Sequence, residues 1–171
     1  LVPIALYFHN DEPVPNSWDT VTELNYSTTY YKYMDLQENY RKNYSKRLSK
    51  SEKAEAIDSV DYYFSYFVQE NYNKLLEFTS LMKELLGEGK KIVVTIKGYT
   101  SPLNTVEYNN NLAKRRISSL VNYFAEFEGG VFLPYIESGM IEYEFVAFGK
   151  IFSAGKVSDD PNDPRNSIFS P

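Results

Sequence analysis

Apolar residues recur every three or four positions in the middle of the chain, which predicts two amphipathic helices. The first set comprises Val60, Tyr63, Phe64, Phe67 and Val68, and the second comprises Leu75, Phe78, Met82, Leu85 and Leu86. Two glycines, Gly87 and Gly89, follow the second set. Because glycine commonly ends a helix, we place the end of this helical region there.

Three shorter apolar runs have the character of strands. Residues 91–97 are rich in β-branched side chains and flanked by lysines, a pattern that favours a strand. We predict a second strand over residues 140–148 and a short buried one over residues 4–8. The strand at 91–97 should lead into a loop over residues 98–105.

A further helix is predicted between the two later strands. Asn104 and Glu107 have the spacing of a capping box, which opens a helix. Its apolar face comprises Leu112, Ala113, Ile117, Leu120, Val121 and Phe124. The helix should end near Phe127, before a Gly-Gly pair.

The segment between the first strand and the helices is polar and rich in tyrosine. We treat residues 12–50 as an insertion and predict a helix over residues 27–48. Its shared face comprises Tyr33, Leu36, Gln37, Tyr40 and Tyr44. The element order predicts an α+β domain over residues 1–171, with helices on one face of a small mixed sheet and a loop over residues 150–171. We expect this domain to belong to a longer protein.

Composition narrows the possible functions. The chain has 18 basic and 23 acidic residues in 171, a formal charge of −5 that argues against a nucleic-acid partner. It has no cysteine, which excludes disulfides and cysteine-based metal sites. No apolar run approaches the roughly 20 residues that a membrane-spanning helix needs, so we predict no transmembrane segment.

Catalytic motifs are missing from the sequence. There is one histidine, His9, and neither a Gly-x-Ser-x-Gly turn nor a glycine-rich phosphate loop opening a helix. We therefore predict no enzymatic activity, no cofactor and no metal. Residues 159–163 are rich in oxygen ligands, but they lack the spacing of a calcium loop, so a solvated turn is the favoured interpretation.

One constellation of residues suggests binding. A strand ends at Gly98-Tyr99-Thr100-Ser101, and the helix that follows carries Asn109 and Arg116. A helix start and a guanidinium both attract anions, so a carboxylate would suit this place. The periodicity leaves two interpretations equally open: Arg116 binds a ligand, or it pairs with a neighbouring acid.

These residues resemble a known family, the OmpA C-terminal-like domain of OmpA, peptidoglycan-associated lipoprotein and flagellar stator proteins. The matching pattern is Gly-Tyr-Thr at 98–100, a loop, and Tyr-Asn-x-x-Leu-Ala-x-Arg-Arg-Ile at 108–117. The family form is Gly-His-Thr-Asp followed by Asn-x-x-Leu-Ser-x-x-Arg-Ala. The resemblance covers roughly residues 4–8 and 75–149, and residues 12–50 lie outside it.

The resemblance implies a βαβαβ sandwich in the Gram-negative periplasm, associated with the outer membrane. It implies non-covalent binding of peptidoglycan through diaminopimelate in the stem peptide, which anchors an envelope complex to the cell wall. Arg116 would bind the carboxylate. The positions that the resemblance assigns to the ligand site are Arg116, Asn109, Ser101, Thr100, Tyr99, His9 and Asn10.

Two departures from the family pattern leave an alternative open. The family's two aspartates, one of which binds the ligand's ammonium group, align with Ser101 and His9. Asp11 or Glu107 are the candidate substitutes. If neither substitutes, the domain is a degenerate module that binds protein partners in an envelope or secretion assembly, with the Tyr-rich insertion as the expected contact surface.

Overall fold

The structure is a computed structural model that describes residues 3–101 and 104–150, with residues 149 and 150 described by their backbone only. In chain order the elements are α1 (Tyr26–Met34), α2 (Gln37–Ser45), α3 (Lys50–Tyr62), a π-helical segment (Tyr63–Gln69), α4 (Glu70–Gly87), β1 (Ile92–Thr100), α5 (Val106–Glu126), a 3-10 turn (Phe127–Gly129), α6 (Leu133–Glu137) and β2 (Ile141–Lys150). The α+β class is confirmed. The predicted tail loop beyond residue 150, with its oxygen-rich run at 159–163, lies outside the described residues.

The sheet has two parallel strands in the described part of the chain, so the expected mixed sheet is not found there. Ile92 pairs with Ile141, and the register shifts between Gly98 and Tyr99. Helix α5 connects the strands and packs across both of them. A Cβ at Gly98 would lie 2.6 Å from the carbonyl oxygen of Ala113. Only glycine therefore lets β1 lie this close to α5.

The strand predicted over residues 4–8 is wrong. These residues form no ladder; the hydroxyl of Tyr26 accepts from the Tyr7 backbone N–H at 3.2 Å and donates to the Tyr7 carbonyl at 3.1 Å. Phe8 packs edge-on against Tyr26, with ring centroids 5.1 Å apart. The run is apolar because it packs on an aromatic core. A buried tyrosine hydroxyl satisfies the backbone groups that a neighbouring strand would otherwise pair with.

The predicted helix over residues 27–48 is two helices, α1 and α2, separated at Asp35 and Leu36. Of the predicted face, Tyr33 and Tyr40 are buried, and Leu36, Gln37 and Tyr44 are half-buried. Tyr33 and Tyr40 are 4% and 7% exposed, and both rings pack edge-on against Phe64. The tyrosines of this region therefore mostly build the core. They are not, as a group, an exposed contact surface.

Helices α3 and α4 are joined through the π-helical segment into one helical stretch over residues 50–87. Ser49 and Glu52 form a capping box at its start, which sequence analysis missed. At the other end Met82 and Leu86 are buried at 1% and 2% exposure, whereas Leu85, assigned to the same face, is only half-buried. The packed face therefore runs through Leu75, Thr79, Met82 and Leu86, with Phe78 and Leu85 half-buried at its edge.

The start of α5 also differs from its prediction. Strand β1 continues to Thr100 and so includes the first three residues of the predicted loop. The N-cap of α5 is Thr105, whose side chain accepts from the Tyr108 backbone N–H at 3.2 Å. The expected capping box of Asn104 and Glu107 is wrong, because Thr105 is the N-cap and the side chain of Asn104 accepts from the Thr105 backbone N–H at 3.0 Å. The carbonyl of Asn104 accepts from Asn109 Nδ2 at 3.1 Å.

Candidate functional site

Arg116 brings together three of the segments that the sequence singled out. Its Nε donates to the carbonyl of Glu12 at 3.0 Å, and one terminal nitrogen donates to the carbonyl of Tyr99 at 2.8 Å. Its guanidinium lies 5.1 Å from the centre of the Phe8 ring, a cation–π contact. No carboxylate of the described residues lies within 4.0 Å of Arg116. The loop after Phe8, the end of β1 and α5 therefore meet at one cation.

Asp11, one of the two candidate substitutes for the family's aspartates, lies close to Arg115 rather than to Arg116. Asp11 Oδ1 lies 3.9 Å from Arg115, whose side chain is fully buried. The same carboxylate accepts from the Asn16 backbone N–H and from the Tyr108 hydroxyl. Asp11 is thus fixed by three neighbours beside the site, with 24% of its side chain exposed.

Sequence analysis assigned no role to Arg115, yet among the residues that the structure describes it is the largest fully buried side chain. It donates to the carbonyls of Pro13 at 3.1 Å, Ser17 at 2.6 Å and Asp19 at 2.8 Å. A buried guanidinium is costly unless its donors are satisfied. Here backbone carbonyls satisfy most of them, while its second terminal nitrogen has no hydrogen-bond partner.

Arg115 belongs to a polar stripe on α5 that holds residues 13–25, here called the strap. The stripe residues are Asn111, Arg115, Ser118 and Asn122, at helical spacing. Asn111 donates to the Trp18 carbonyl at 3.0 Å, and Asn122 donates to the Thr22 carbonyl at 2.6 Å. A polar stripe at this spacing usually faces solvent, so its sequence signal does not distinguish it from an exposed helix face.

The remaining residues predicted on β1 and α5 have different surroundings. Asn109 is buried, and its amide closes the loop rather than pointing to a ligand. Thr100 is buried and Ser101 is exposed. Tyr99 is 41% exposed and stacks on Phe148, with ring centroids 4.9 Å apart. Tyr99 contacts Arg116 directly, because its carbonyl accepts from the guanidinium.

His9 and Asn10 do not converge on Arg116 by direct contact. The Nδ1 atom of His9 lies 2.9 Å from the Tyr40 hydroxyl, and its ring also packs near Tyr33. Asn10 is exposed. His9 therefore connects the loop after Phe8 to α2, and contributes to the site by fixing that loop.

Burial lowers the pKa of both Arg116 and His9. Desolvation lowers the pKa of Arg116 to about 10, partly opposed by the charge of Asp11, so the guanidinium stays charged at neutral pH. Desolvation also lowers the pKa of His9, with Glu12 raising it and Arg116 lowering it. Within residues 3–101 and 104–150 no cluster of three or more acidic or histidine side chains is placed to hold a metal ion.

Comparison of the chain with family models, with curated proteins and with solved structures finds no match in any of the three. Among the helices of the described residues, none combines the length and the apolar character needed to cross a membrane.

Proposed function

We propose that this domain binds the peptide stem of peptidoglycan non-covalently, as a periplasmic module that anchors an outer-membrane or envelope complex to the cell wall. The observation that carries the proposal is the position of Arg116. It joins the carbonyls of Glu12 and Tyr99, and it has no carboxylate partner within 4.0 Å among the described residues. The OmpA-like fold is part of the same proposal, since it rests on the sequence motif at 98–117.

The hydrogen-bonding capacity of Arg116 suits a carboxylate ligand. A guanidinium has five N–H donors, and the carbonyls of Glu12 and Tyr99 take two of them. Within the described residues three donors remain, enough for the paired hydrogen bonds that arginine forms with a carboxylate. Because the group is half-buried, such a pair is screened less than one in open solvent.

The zwitterionic end of diaminopimelate also presents an ammonium group. Asp11 is the better placed of the two substitutes considered, because its carboxylate is partly exposed and lies on the residue next to Glu12. Glu107 is exposed in the first turn of α5. Ser101, also exposed, occupies the position of the family's loop aspartate. We expect Ser101→Asp to tighten binding of the stem peptide, measured by calorimetry; weaker or unchanged binding would remove Ser101 from the site.

A second candidate function, binding of a protein partner, is favoured by one observation outside the insertion. Tyr62 and Tyr66 are 56% and 57% exposed, and their rings stack with centroids 5.0 Å apart. Tyr66 lies in the π-helical segment, and such segments are frequent at functional sites. Loss of partner capture in a Tyr62→Ala, Tyr66→Ala double variant that retains peptidoglycan binding would establish this surface separately.

The experiment for the main proposal is a pull-down on purified sacculi that contain diaminopimelate. Wild-type protein should sediment with the sacculi, and Arg116→Ala should not. Lys114→Ala is the matched control, because it removes the same charge from an exposed position on the same helix. Absence of wild-type binding, or equal binding by Arg116→Ala, would contradict the proposal.

A further inference from the structure

Trp18 is a large apolar side chain held in an exposed position. It is the single tryptophan of the chain and is 57% exposed. Its carbonyl accepts from Asn111, and Arg115 donates to the carbonyls on either side, those of Ser17 and Asp19. The backbone that carries the ring is therefore fixed on three consecutive residues. Exposed indole surface on an ordered backbone is typical of a contact residue.

The ring lies beside the first turn of α5, at Tyr108, eight residues before Arg116 on the same helix. It packs edge-on against Tyr108, with centroids 5.2 Å apart and an interplanar angle of 86°. The Tyr108 hydroxyl donates to Asp11, the residue before Glu12, and the Glu12 carbonyl accepts from Arg116. Trp18 is thus connected to Arg116 through the ring of Tyr108 and the loop that carries Asp11 and Glu12.

We infer that Trp18 forms the apolar wall of the stem-peptide site, where its indole covers the aliphatic carbons of a peptide whose carboxylate is bound by Arg116. This inference rests on the proposed function and adds a residue that determines affinity for the peptide stem. The strap holds the ring before the ligand arrives, so little conformational freedom is lost on contact. The neighbouring Asp11 keeps the adjoining surface polar, which suits a ligand with both charged and aliphatic parts.

The test uses the tryptophan as its own reporter. The whole chain is titrated with the soluble stem tripeptide that ends in diaminopimelate, while selectively excited tryptophan fluorescence and heat are recorded. The emission should shift to shorter wavelength as the peptide displaces water from the indole. Trp18→Ala should weaken binding about tenfold, which corresponds to the loss of one well-packed contact, and Trp18→Phe should recover part of the affinity.

Val21→Ala is the matched control, because Val21 is a 67% exposed apolar residue of the same strap; its affinity should equal that of the wild type. Tripeptide binding that depends on Arg116, without a fluorescence change and with full affinity in Trp18→Ala, would overturn this inference and leave the proposed function intact. No heat and no fluorescence change with the wild-type protein would overturn both.

Discussion

Arg115 and Arg116, neighbours on α5, donate to two consecutive carbonyls of one loop: Arg116 to that of Glu12, and Arg115 to that of Pro13. The two side chains differ in their surroundings. Arg115 is fully buried and holds the strap, whereas Arg116 is half-buried and, among the described residues, retains unused donors. Arg115 therefore fixes the loop whose Glu12 carbonyl accepts from Arg116, the arginine that is proposed to bind the ligand.

Arg115→Ala should destabilise the fold strongly. The substitution removes three charge-assisted hydrogen bonds and leaves three strap carbonyls without their donors, a loss of about 3 kcal/mol or more in the free energy of unfolding. Urea unfolding followed by circular dichroism measures it. Lys114→Ala is the control and should stay within about 0.5 kcal/mol of the wild type. An Arg115→Ala variant as stable as that control would show that the strap does not depend on Arg115.

Gly98→Ala should destabilise the contact between β1 and α5. The new methyl group would lie 2.6 Å from the Ala113 carbonyl oxygen, which belongs to the backbone and cannot rotate away. Forced separation of packed elements costs about 1–3 kcal/mol. In Gly87→Ala the added methyl meets no atom within 4 Å, and alanine favours a helix, so this control should be neutral or slightly more stable. Equal thermal midpoints for the two variants would contradict the register of β1 on α5.

The stability of the fold should fall in mild acid because of His9. Burial lowers the pKa of His9 in the folded protein below its ordinary value of 6.5, so between these two values the unfolded chain binds more protons than the folded one. The contribution of neutral His9 to the free energy of unfolding is therefore fully present above pH 6.5. It is lost as the pH falls through the pKa of His9 in the folded protein. Unfolding free energies measured across this window should decrease with acid in the wild type and decrease less in His9→Gln. An identical slope in both proteins would exclude His9 as the cause.

The sequence predicts well those elements whose periodicity is set by burial on one side. Residues 91–97 and the helix that follows were found in this way, and the buried positions Leu112 and Ile117 lie on the predicted face. The short apolar run at 4–8 was misassigned, because five apolar residues fit a strand and an extended segment on an aromatic core equally well. What decides between them is the Tyr26 hydroxyl, nineteen residues away from Tyr7.

The candidate site was predicted in part. The sequence singled out Arg116 and Tyr99, and the structure brings them together. Nothing in the sequence indicated the role of Arg115 or of the strap, because Arg115 binds backbone carbonyls, which every residue has. The role predicted for Asn109 also depended on the loop: its amide closes the loop onto Asn104. The roles of such side chains can be assigned only when the positions of these loops in the folded protein are known.

Arg116 is proposed to bind a carboxylate of the peptidoglycan stem. The most direct measurement compares, by calorimetry, the stem tripeptide with an analogue whose carboxylate at the zwitterionic end is an amide, using the wild type and Arg116→Ala. We predict that the wild type binds the carboxylate form at least about tenfold more tightly, the effect of losing one hydrogen bond between charged groups, and that Arg116→Ala shows no such preference. Equal binding of both peptides by the wild type, or an unchanged preference in Arg116→Ala, would contradict the claim.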